Sequence, residues 1–99
     1  MTPAELISSA ISDAKPPIHL CPAAKALWYA KKGSWDEAHD IAQDIESPLG
    51  SWIHALLHLV EGDIGNASYW FAKAGRPVKS RVQADELWAE IAAVALRES

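Results

Sequence analysis

The sequence predicts an all-α chain of about six short helices folded as antiparallel hairpins. Helix start and stop residues recur along its whole length, no segment alternates apolar and polar residues with period two, and two junctions share one glycine-to-alanine spacing. Ninety-nine residues suit a single domain. At 10.8 kDa, area scaling leaves roughly 5,500 Å² exposed out of about 15,700 Å² in the extended chain. A core of that extent holds without metal or disulfide.

Each element has its own punctuation. Thr2-Pro3-Ala4-Glu5 is a capping box with proline at the first helical position, so a helix should run from there to about Ala14 and break at Lys15-Pro16-Pro17. The second helix is expected from Pro22 to Lys32, stopped by Gly33. Ser34-Trp35-Asp36-Glu37 resembles another capping box, with acids where the helix dipole favours them, and opens a third helix reaching about Glu46. Ser47-Pro48 starts a fourth that ends at Gly62, and Asp63 caps a fifth that ends at Gly75. Arg76-Pro77 links to Ser80-Arg81-Val82-Gln83, which opens a sixth helix towards Arg97.

Glycine stands at both Gly33 and Gly62 with alanine five residues later, Ala38 and Ala67, and 29 positions separate the two glycines. Turns this short force antiparallel neighbours. Small or apolar stripes follow each glycine at helical spacing: Ala38, Ile41, Ala42, Ile45 and Ala67, Trp70, Phe71, Ala74. This pattern resembles the tetratricopeptide-repeat superfamily. Ala26, Tyr29, Gly33 and Ala38 match its first unit, and Ala55, Gly62, Ala67, Phe71, Ala74 and Pro77 its second. The period is about five residues shorter than in that family, and His58 stands where an aromatic is usual. The resemblance covers roughly residues 20–78 and implies a right-handed hairpin stack.

The string from Gly50 to Asp63, followed by Asn66 to Phe71, also resembles an uncharacterised family of small bacterial and fungal proteins. In that family a basic residue often follows the second histidine and a histidine often precedes the late proline. Leu59 and Arg76 occupy those places here. The resemblance brings no activity with it.

Composition excludes several classes of function. A formal charge of −4 with nine scattered Lys and Arg residues does not make the concentrated basic face that phosphate contacts require, so no nucleic-acid partner is expected. The longest apolar runs are broken by histidine and glutamate, far short of a membrane span. The N-terminal residues lack a basic stretch ahead of an apolar one, so no signal peptide is expected. One cysteine, Cys21, cannot form an internal bridge and suits a reducing cytoplasm. There is no phosphate loop, nucleophile elbow or cysteine cluster, so no cofactor is expected, and a binding role is expected ahead of an enzymatic one without excluding the latter.

The fourth helix carries the unusual feature. Ser51, His54, His58 and Glu61 share one narrow sector of a helix that is otherwise apolar, which marks it as the central element. On the third helix His39 and Gln43 are four residues apart, with Asp36 and Glu46 along the same strip. This strip is either a solvated helix face or, if the third and fourth helices are neighbours, part of one cluster. The bland account has the histidines bonded to Asn66, Tyr69, carbonyls or water. A second account is a groove for a peptide or small ligand, and a third is metal binding or proton transfer. His54 and His58 have the spacing of half a zinc site, but Ala55 stands where a metalloprotease has its glutamate.

Five tryptophans, one on each helix from the second to the sixth, are expected in the core or at its rim. The expected function is a small protein–protein interaction or scaffolding module with a protein or peptide partner. The last helix either caps the stack or offers an apolar strip to a second copy, making a homodimer. The rival is a ligand- or metal-binding protein, or an enzyme, built on His54, His58 and Glu61, with His39, Gln43, Ser51, Asn66 and Tyr69 as further candidates.

Overall fold

Six helices and one 3₁₀ turn make up the computed structural model, which describes residues 1–98. They are α1 (Pro3–Ser12), α2 (Pro22–Lys32), α3 (Trp35–Gln43), α4 (Pro48–Glu61), α5 (Ile64–Ala74), the turn Arg81–Gln83, and α6 (Ala84–Arg97). No strand occurs among the described residues, and none of their helices is long and apolar enough to cross a membrane.

Glycine closes three of the helices in the same way. Gly33, Gly62 and Gly75 adopt positive φ of 93°, 90° and 70°, a region that costs a side-chain-bearing residue energy. After each, the next residue's N–H reaches back across the turn: Ser34 to the Tyr29 carbonyl, Asp63 to His58, and Arg76 to Phe71, at 2.9–3.0 Å. These are Schellman closures, which satisfy carbonyls that the helix end leaves open. The two-residue connections Gly33-Ser34 and Gly62-Asp63 therefore fold α2 onto α3 and α4 onto α5.

Three local expectations change. Helix α1 stops at Ser12, where the Asp13 N–H still bonds Ser9 but its own backbone is already extended. Helix α3 stops at Gln43 because the chain must bend sharply into α4. Gly50 lies so close to Ile45 that a Cβ would collide with the Ile45 carbonyl and come within 2.8 Å of its Cβ. Ser34 does not cap α3 with its side chain, whereas Asp63, with the same closure and nearly the same backbone angles, caps α5 through a carboxylate that reaches one bond further than a hydroxyl. The boxes at Thr2–Glu5 and Ser80–Gln83 do form, the latter opening the 3₁₀ turn ahead of α6.

Helix α4 is the hub, packed by α2, α3, α5 and α6. Ile53, Leu56, Leu57 and Leu59 are buried along it, and α6 lies across α2 and α4 with Leu87, Trp88, Ile91, Ala92 and Ala95 buried. The folded surface is 5388 Å², close to the area that chain mass alone implies.

Trp28, Trp52 and Trp88 are in the core, while Trp35 and Trp70 are half-buried at its rim. Indole N–H groups find acceptors: Trp28 donates to Ser9 Oγ at 3.0 Å, Trp88 to the Leu27 carbonyl at 2.9 Å, and Trp35 to the Leu57 carbonyl at 2.7 Å. The Arg76 guanidinium lies 3.9 Å from the Trp52 ring centroid.

Candidate functional site

Packing of α3 and α5 against α4 brings three imidazoles together. His54 and His58 lie four residues apart on α4, so their rings stand one above the other, 5.0 Å between centroids and 20° between planes. His39 enters from α3 with its ring edge-on to both, 4.5 Å from His54 and 5.5 Å from His58. The nearest ring nitrogens of all three lie within 4.8 Å of one another.

Two tryptophans wall this cluster. Trp70 of α5 lies flat on His54 at 3.9 Å and 9°, and Trp35 of α3 lies flat on His39 at 4.7 Å and 13°. The Trp35 ring also meets His58 edge-on at 5.8 Å. The Lys73 ammonium stands 4.9 Å from the Trp70 centroid. Both tryptophans sit at the rim, within the expected range of core or rim, but their stacking on imidazoles was not expected. The one sequence signal for their role is that Trp35 precedes His39 by four residues, one helical turn.

Burial of the His54 ring, only 6 % exposed, pushes its pKa down to about 4, helped by the neighbouring His39, His58 and the Lys73 ammonium. The imidazole is therefore neutral throughout the physiological range, with lone-pair nitrogen to offer. His58 is held differently. Its Nδ1 is 2.7 Å from Glu61 Oε1, which orients the ring and leaves Nε2 as its uncommitted nitrogen.

The other candidates go elsewhere. Asn66 Nδ2 donates to Asp63 Oδ2 at 2.6 Å, and the Asn66 N–H bonds Asp63 Oδ1. These two bonds hold the Asp63 carboxyl below its usual range. Asn66 is thus used at the start of α5, and no hydrogen bond links it to a histidine among the described residues. Tyr69 is exposed and meets Trp70 edge-on at 5.3 Å. Gln43 and Ser51 line a shallow groove with Trp70 and Lys73 that no histidine lines. Glu61 and Asp63 form a second, solvent-exposed set of possible ligands that shares His58.

No family model matches the chain, and no curated protein or solved structure is significantly similar to it.

Proposed function

We propose that the protein binds a divalent transition-metal ion through His39, His54 and His58. The observation that carries this reading is the convergence of three imidazole nitrogens within 4.8 Å, drawn from two helices into an aromatic enclosure. An all-imidazole set suits zinc, copper, nickel or cobalt and not magnesium or calcium, which prefer oxygen. Metal–imidazole bonds are about 2.1 Å long, so ligation to one ion holds the three nitrogens closer together than 4.8 Å. His39, half-exposed at the rim, is the ring that turns. Glu61 then acts as a positioning residue that orients His58 and raises its basicity.

The test is calorimetric titration of the purified chain with zinc, nickel and cobalt, followed in parallel by tryptophan fluorescence, because Trp35 and Trp70 lie against ligand rings. One ion should bind per chain. His39→Ala, His54→Ala and His58→Ala should each weaken it by more than the about 10–100-fold that losing a supporting carboxylate costs. Circular dichroism confirms that each variant is folded. Saturable binding absent below about 1 mM, or binding unchanged in the folded histidine variants, overturns the reading.

A second reading, a small interaction module of stacked hairpins resembling tetratricopeptide repeats, draws support from one observation. The α2–α3 and α4–α5 turns close with the same bonds and nearly the same glycine angles. Its expected form is a homodimer in the cytoplasm. Light scattering that finds only a 10.8 kDa species at micromolar concentration removes the dimer.

A further inference from the structure

On the side of α4 away from the stacked pair His54 and Trp70, a groove of about 360 Å³ opens between α2, α4 and α6. Trp35, Trp88, Leu57 and Val60 are among the residues that line it. Both indoles have already committed their N–H groups to backbone carbonyls, Trp35 to Leu57 and Trp88 to Leu27. They can therefore offer the groove only carbon surface. Its volume falls at the small end of the range of about 300–1,000 Å³ typical of ligand pockets.

The charged side chains at this groove are Lys31 and Asp85, and they are unequal. Lys31 lies over the Trp88 ring, its Nζ 4.5 Å from the centroid, with its side chain 23 % exposed. Asp85 is fully hydrated, 100 % exposed, and stands 3.7 Å from that ammonium. A pair this long and wet contributes little, so the partly desolvated cation is loosely matched. An incoming anion can take the place of Asp85 at little cost. An incoming cation would have to face Lys31 across the mouth.

We propose that this groove binds a small monocarboxylate with an apolar body, of medium-chain or phenylalkyl type. The carboxylate pairs with the Lys31 ammonium and the body lies between Trp35 and Trp88. Lys31 is the one cationic residue among the described residues lining the groove, and the nearby Arg81 guanidinium is held on the Val60 carbonyl, which fits one carboxylate better than a multiply charged phosphate. The proposal is independent of the metal reading.

Octanoate, octanol and octylamine serve as matched probes, titrated calorimetrically into the chain in the presence of a chelator. Octanoate should saturate one site per chain, octanol should bind about tenfold or more weakly, and octylamine should not bind. Lys31→Met should reduce octanoate to the level of octanol, whereas Lys31→Arg should retain it. His54→Ala should leave octanoate binding intact, which separates this site from the histidine cluster. Octylamine binding as tightly as octanoate overturns the proposal, as does unchanged octanoate affinity in folded Lys31→Met, or no saturable binding of any probe.

Discussion

The two flanks of α4 solve the same burial problem with different chemistry. On one flank Ile53, Leu56 and Leu57 disappear beneath α2 and α6, and shape alone decides the fit. On the other, His54 is almost as fully buried, yet its described neighbours are rings: Trp70 on one face, with His58 and His39 close by. A leucine placed there would pack without any dependence on pH. The imidazole cluster makes stability conditional on the protonation state of its members, a cost the apolar flank does not carry. Trp35 belongs to both sides, stacked on His39 and forming a wall of the groove under α6.

Deletion on the apolar side should have the largest effect. Trp28→Ala removes a fully buried indole and its bond to Ser9, and should cost about 3–5 kcal/mol, read as a fall in the urea midpoint. A loss below about 1 kcal/mol would mean that this side is not the rigid one. Gly50→Ala should cost somewhat less, about 2–4 kcal/mol, because the new methyl meets the Ile45 backbone, which cannot swing away.

The histidine side should reveal itself through pH. The unfolded His54 takes up a proton near pH 6.5, while the folded ring resists until about pH 4. Between those values the unfolded state binds more protons, so stability falls as the pH drops, by up to about 3 kcal/mol, and levels off below. Urea midpoints of the metal-free protein across this window should show that slope, and His54→Phe should flatten it. An equal slope in the variant would place the proton uptake elsewhere.

Removing the cap carboxylate with Asp63→Ala should cost about 1 kcal/mol, since Asp63 accepts the Asn66 N–H at the start of α5. The smallest effect on stability belongs to Glu61→Gln, within about 0.5 kcal/mol for an exposed position. The same change should weaken metal binding about tenfold, and an unaltered affinity would show that the Glu61–His58 bond supports the helix end alone.

Much of the fold is legible from local chemistry. Thr2, Gly33, Gly62, Asp63 and Gly75 act on backbone groups within a turn of themselves, so their meaning does not depend on distant residues. Where α1 and α3 stop is less legible, because the end of α3 answers to the contact of Gly50 with Ile45 across the next bend. Ser34 misleads for a different reason: its hydroxyl ends one bond short of the carboxylate with which Asp63 caps α5 from the same closure.

The candidate site divides along the same line. That His54 and His58 share a face follows from helical periodicity, and no neighbour is needed to know it. That His39 meets them depends on the pairing of α3 with α4, and that Asn66 and Tyr69 do not depends on the angle at which α5 lies on α4. Sequence by itself determined the helices, their hinges and the one polar sector on an apolar rod, since these arise from interactions a few residues long. Tertiary packing alone decided which rings converge and which tryptophans enclose them. Such contacts join residues 15 or more positions apart, His39 to His54 and His54 to Trp70 among them, and their geometry is set by how whole helices pack.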